Sequence, residues 1–213
     1  MLELLESYQP VPLEDAILAF YRKHHIANPD EIDLDWMARE ANIWIHYKPH
    51  PSASYELRGM WSVIVDDRLP EPQQRVELAH ELGHVFLHVG HQIAINADLK
   101  ARQEWQADRF AMYLLCPTPM IADHMITAES RGQLVDHFAD TFNVPDYFMD
   151  ARLKLLEQRL QMLAAQRQFA AALESLPQYG RDYDQVVRHP VNPRIEYYLR
   201  EGRVVYQRKR AEV

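Results

Sequence analysis

Cysteine is nearly missing from this chain: among 213 residues there is one, Cys116. A disulfide framework is therefore excluded. Long apolar runs are also missing, so no segment is expected to cross a bilayer. The start, Met1-Leu2-Glu3-Leu4-Leu5-Glu6, has neither a basic n-region nor a long apolar h-region, and the expected compartment is the cytoplasm. Positive charge is in deficit. The formal net charge is -8, which argues against a protein whose main partner is a nucleic-acid backbone. The deficit is uneven: residues 1–180 carry 15 basic against 26 acidic side chains, net -11, whereas 181–213 carry 8 against 5, net +3. Internal repeats and low-complexity runs are missing too.

What the chain does have is apolar content, 47% hydrophobic, enough to bury a core in one main domain plus an appendage. It also has His80-Glu81-Leu82-Gly83-His84. On a helix, His80 and His84 stand about 40° apart on one face and about 6 Å apart along the axis, so two nitrogens can reach one ion. Glu81 falls on the flank of that face, placed to take a proton from a water at the metal rather than to bind the metal. Leu78, Leu82, Val85, Phe86 and Val89 form the opposite stripe, expected to be buried.

Twenty residues on, Glu104 to Cys116 reads as a second helix, ended by Pro117. Glu104 and Asp108 share a face at i and i+4, apart from an apolar stripe of Ala107, Phe110, Ala111 and Leu114. A catalytic zinc takes three protein ligands, and a liganding His gives its other N–H to a carboxylate. Glu104 can be the third ligand and Asp108 the acceptor behind a histidine.

With both halves in place, the chain resembles the ImmA/IrrE family of bacterial metallopeptidases. That family pairs a His-Glu-Leu-Gly-His helix with a downstream Glu-x-x-Ala-(Asn/Asp)-x-Phe-Ala-x-x-Leu-Leu-x-Pro helix. The resemblance runs from about Asp33 to Leu153 and takes in Arg75-Val76-Glu77-Leu78-Ala79 and Leu87-His88. It implies a gluzincin-like site with zinc ligands His80, His84 and Glu104 and the general base Glu81. It also implies cleavage of helix-turn-helix repressors that control mobile-element or stress-response genes.

The expected fold class is α+β: a zincin-like metallopeptidase domain, mostly helical with a small sheet, plus a helix-turn-helix-like helical appendage. The expected divisions are 1–128 for the catalytic domain, 129–176 for the appendage with its long helix, and 177–213 for a carboxy-terminal extension. Leu13 to His25 predicts an amphipathic helix burying Leu13, Ala16, Ile17, Phe20 and Tyr21. A short helix capped by Asp33 or Asp35 follows, then strands over 43–47 and 59–65 separated by the Pro49–Ser52 loop. Pro72 suits the start of the motif helix. An edge strand beside that helix, expected by analogy with zincins, would hold an extended peptide by backbone pairing.

Residues 133–153 have a helix-turn-helix rhythm, but Asp136, Asp140, Asp146 and Asp150 would face phosphates with only Arg152 and Lys154 to offset them. A packing or substrate-docking unit is the better reading. Met149, Leu153, Leu156, Leu160 and Leu163 make a short heptad seam, expected to serve its own domain, with a homodimer the lesser reading. Pro177 and Gly180 would close the long helix, Pro190 and Pro193 mark a linker, and 195–200 with 203–207 form a hairpin over Glu201-Gly202.

Among the other histidines, His88 is too far along the helix to share the ion of His80 and is expected to pack or hydrogen-bond. His91 does not fit the metzincin spacing, since Phe86 stands where a glycine is needed and Gly90 comes too late. His24, His25, His46, His50, His124, His137 and His189 have no partner spacing. Peptide deformylases take an upstream cysteine as third ligand, whereas Cys116 lies downstream. Tyr55, His88, Arg109 and Tyr113 are unranked candidates for a second oxyanion donor. The leading function is a zinc endopeptidase acting on a protein, with no membrane partner. A non-cleaving repressor-binding sensor and a DNA-binding transcription factor are the alternatives.

Overall fold

A computed structural model describes Leu5 and residues 8–88, 97–175 and 183–209. Val89, Gly90, His91, Pro177 and Gly180, named above, lie outside the described residues, as does most of the amino-terminal Met1–Glu6 stretch. The chain divides into two compact units, Met1–Leu160 and Gln161–Val213.

The first unit opens with α1 (Pro12–His24), whose proline occupies a first-turn position where no N–H is needed. Glu14 and Asp15 sit at its positive end, and Arg22, Lys23 and His24 at its negative end. Its buried face is Glu14, Ile17 and Tyr21. This corrects the expected stripe: Leu13 and Phe20 are half-buried, Ala16 is exposed, and a carboxylate lies innermost. Asp33 caps α2 (Leu34–Glu40) by accepting from the Trp36 N–H at 2.8 Å.

Three strands follow: β1 (Ile43–Lys48), β2 (Ala53–Leu57) and β3 (Met60–Asp66), in the order β1-β3-β2. β1 runs parallel to β3, and β2 antiparallel. β2 was not among the expected strands. Its signal is Arg58-Gly59, a two-residue turn with φ of 54° and 79°, the pair of positive values that a tight hairpin needs. Val63 and Val65 point inward and are fully buried.

The sheet backs onto α3 (Glu71–Leu87), which packs in turn on α4 (Ala97–Leu115). α3 buries Leu78, Ala79, Leu82 and Gly83, but Phe86 is 49% exposed, against its expected place in the stripe. The α4 stripe of Ala107, Phe110, Ala111 and Leu114 is buried as its spacing requires. Pro117 leads into α5 (Thr118–Asp123). α6 (Arg131–Phe142) is capped by Ser130 and closed by Asn143 at φ 49°, and α7 (Asp146–Ser175) begins after Pro145. Met149, Leu153, Leu156 and Leu160 of the seam are buried in this unit's own core.

One polar cluster ties the unit together. Glu14 and Arg152 are both fully buried and meet at 3.3 Å. Arg152 also donates to the Cys116 carbonyl at 2.9 Å and to Thr118 Oγ1 at 2.7 Å. Glu14 accepts from the Thr118 N–H at 2.9 Å and from the Tyr8 hydroxyl. Arg152, reckoned above among cations able to meet phosphate, is thus committed inside. Asp150 pairs with Arg131 and Lys154.

In the second unit, β4 (Gln185–Arg188), β5 (Ile195–Arg200) and β6 (Arg203–Lys209) form an antiparallel sheet in that order. β4 was not foreseen. Pro190 and Pro193 therefore sit in the β4–β5 connection rather than in a linker, where His189 Nδ1 accepts from the N–H groups of Val191 and Asn192. Glu201 and Gly202, at φ 49° and 77°, turn β5 into β6.

Candidate metal centre

The site is made where α3 crosses α4, and Gly83 sets how closely they approach. A Cβ built at Gly83 would lie 3.0 Å from Ala107 Cα and 3.2 Å from Phe110 Cδ1, so no larger residue fits without moving backbone. The fully buried Ala107 faces it. This contact brings His80 and His84 on one helix up to Glu104 and Asp108 on the other.

Three donor atoms converge there. His80 Nε2 and His84 Nε2 are 3.0 Å apart, and Glu104 Oε2 lies 3.3 Å from the first and 3.5 Å from the second. Donors about 2.0–2.1 Å from one tetrahedral ion stand about 3.3–3.4 Å from each other. The triad therefore fits a zinc-sized ion, and it is a group that could hold a metal among the described residues. Behind it, His80 Nδ1 donates to Asp108 Oδ1 at 2.9 Å, which turns Nε2 toward the other two donors.

Electrostatics say the same of the metal-free site. Burial lowers the proton affinity of His80, but the Asp108 hydrogen bond and the charges of Asp108, Glu81 and Glu104 outweigh it and hold it above its usual value. His84 is held below its usual value by burial and by its proximity to His80. The two facing ring nitrogens, 3.0 Å apart, thus differ in proton affinity, and a metal cation bound between them would displace any proton held there.

Glu81 is 8% exposed. Burial raises its carboxyl above the usual range, against a hydrogen bond from Ser54 and the charge of His80. A carboxylate with raised proton affinity is better matched to taking a proton near neutral pH. Ser54 belongs to β2, so the edge strand that periodicity overlooked runs beside the site.

The candidates for a second oxyanion donor are dispersed. Tyr113 is buried, with Arg152 5.1 Å over its ring, and Arg109 stacks on Trp105 at 5.2 Å. Tyr55 alternates with Ser54 and points to the opposite sheet face. His88 is brought close, but to His84: their Nδ1 atoms are 3.1 Å apart, and His88 Nε2 is 3.1 Å from Gln106 Oε1. Gln106 was not foreseen, because it lies about 160° round α4 from Glu104 on the far flank of the buried stripe. Cys116 is fully buried, and desolvation pushes its thiol up to about 12, which makes it a packing residue.

A family model described as the IrrE N-terminal-like domain, a peptidase family, matches residues 38–154. The chain belongs to this family. The matched span of the IrrE N-terminal-like domain runs from α2 into α7 and contains His80, Glu81, His84, Glu104 and Asp108. The fold is thus the zincin-like α+β fold expected. Similar proteins include "Phage-like element PBSX protein XkdA" of Bacillus subtilis (strain 168), 29% identical over 161 residues, 76% of this chain and 81% of the relative. "Uncharacterized protein YqaB" of the same organism is 26% identical over 148 residues, 70% of this chain and 86% of the relative. No helix among the described residues is long and apolar enough to cross a membrane.

Proposed function

We propose that the protein is a cytoplasmic zinc-dependent endopeptidase whose substrate is a helix-turn-helix repressor of mobile-element or stress-response genes. The convergence of His80, His84 and Glu104 at 3.0–3.5 Å, with Glu81 buried alongside, carries the enzymatic part. A bound zinc would acidify a water and polarise the scissile carbonyl. Glu81 takes the proton of that water as its oxygen attacks the carbonyl carbon, then hands it to the amide nitrogen as the C–N bond breaks. Asp108 holds the His80 ring in position throughout.

Three observations support this substrate. Among the described residues β2 is paired on one side only, to β3, and Ser54 sets it against Glu81, so an extended peptide could add to its edge and pass the base. A folded repressor offers such a stretch only in a linker or a locally opened turn. The acidic surplus of residues 1–180, net -11, favours a basic partner, as DNA-binding proteins usually are. One relative carries the name of a phage-like element, which suits a mobile-element setting.

The test is to mix the protein with the repressor encoded beside it, with and without chelator, and to map fragments by mass spectrometry. A single chelator-sensitive cut in an extended segment is expected. Intact repressor under conditions that relieve repression in the cell would replace cleavage by a regulator that only binds.

A further inference from the structure

His88 and Gln106 form a hydrogen-bonded chain behind His84, and the Gln106 amide sets its polarity. Gln106 Oε1, a carbonyl oxygen, only accepts, so His88 Nε2, 3.1 Å away, carries a proton. The Nδ1 of a neutral His88 is then a lone pair, and it faces His84 Nδ1 at 3.1 Å. That contact is a hydrogen bond when His84 Nδ1 is the N–H, which leaves His84 Nε2 as the lone pair turned toward His80 and Glu104. His88 is well held for this purpose: it caps the end of α3, its N–H donating to the His84 carbonyl at 3.1 Å, and it is 7% exposed.

We infer that His88 and Gln106 are positioning residues that fix the metal-binding tautomer of His84, as Asp108 does for His80. The chain ends on an amide where His80 is backed by a carboxylate, and it serves the metal in one direction only. Were Gln106 to present its NH2 group, the order would reverse: His88 Nδ1 would donate to His84 Nδ1, and His84 Nε2 would hold the proton and offer no lone pair. The amide oxygen of Gln106 thus favours the His84 tautomer that can be a ligand.

This inference rests on the metal-site reading above, and the experiment separates the two. Zinc affinity is measured by competition with a chromophoric chelator for wild type, His88→Phe, Gln106→Leu and Gln106→Glu. Long-range nitrogen–proton NMR of the metal-free wild type assigns the imidazole tautomers independently. His84 protonated at Nδ1 and His88 at Nε2 are expected. His88→Phe should weaken zinc binding about 10–100-fold, the range for removing a group that orients a ligand. Gln106→Leu should weaken it less, and Gln106→Glu, which can only accept, should bind at least as tightly as wild type. If His88→Phe fails to fold, the Gln106 pair and the spectrum decide. Wild type that binds no zinc would overturn the metal-site reading itself. Wild type that binds zinc, with His88→Phe and Gln106→Leu within twofold of it or with His88 protonated at Nδ1, would overturn this inference alone.

Discussion

Glu81 holds a buried carboxylate where solvation is poor, and that has a consequence for stability. Because burial raises its folded-state pKa, the folded metal-free protein holds the Glu81 proton more tightly than the unfolded chain does. The group costs nothing below its unfolded pKa, near the ordinary carboxyl value, and stability falls as pH rises through the higher folded value. Metal-free Glu81→Gln should therefore melt above wild type at pH 8, with the difference vanishing below about pH 4. Equal melting temperatures at both pH values would show that Glu81 is not desolvated. A second residue-scale expectation concerns the Glu14–Arg152 pair. Arg152→Met strands Glu14 without its cation and should lower the unfolding free energy by about 3–5 kcal/mol, read from urea denaturation. Adding Glu14→Gln should recover part of it. A loss below about 1 kcal/mol in the single variant would mean that the cluster does not hold the helices together. The two kinds of residue were not equally legible. His80, Glu81, His84 and Glu104 follow helical spacing, which sequence displays directly. Arg152 and Glu14 look like ordinary surface charges until the fold buries both.

Helix α3 is short of bulk where it matters. Gly83 keeps φ in the helical range, so its role is close approach rather than backbone freedom, with Ala107 Cα 3.0 Å from where its Cβ would be. Gly83→Ala should push α4 outward and take Glu104 with it. The expected outcome is about 1–3 kcal/mol of destabilisation from overpacking and about a tenfold loss of zinc affinity. Gly132→Ala, with nothing nearer than 3.8 Å, is the control and should change neither. Zinc affinity unaltered in Gly83→Ala would mean that Glu104 is placed by something other than the helix crossing. At this scale, long elements with a clear period were readable: α3, α6 and the start of α7 stand where apolar spacing puts them, whereas α4 begins at Ala97, ahead of the expected Glu104. Short strands were not. β2 and β4 hold five and four residues, too few for alternation to emerge, and β2 exposes Tyr55 and Leu57 as a solvated edge strand would. The overlooked β2 is the strand that reaches the site, through Ser54.

The whole molecule separates a site-bearing unit with an acidic surplus from a basic carboxy-terminal segment, +3 over 181–213. Charge of this kind acts on encounter rather than on chemistry. The proposed chemistry depends on a division of labour that the sequence already suggested: His80, His84 and Glu104 would hold the ion and Glu81 would move the proton. The most direct test is to measure zinc equivalents and repressor cleavage together in wild type and Glu81→Gln. Both proteins are predicted to retain about one zinc per chain, while only wild type cuts, because Glu81→Gln removes a base and leaves every ligand in place. Loss of zinc from Glu81→Gln, or cleavage that survives it, would contradict the account.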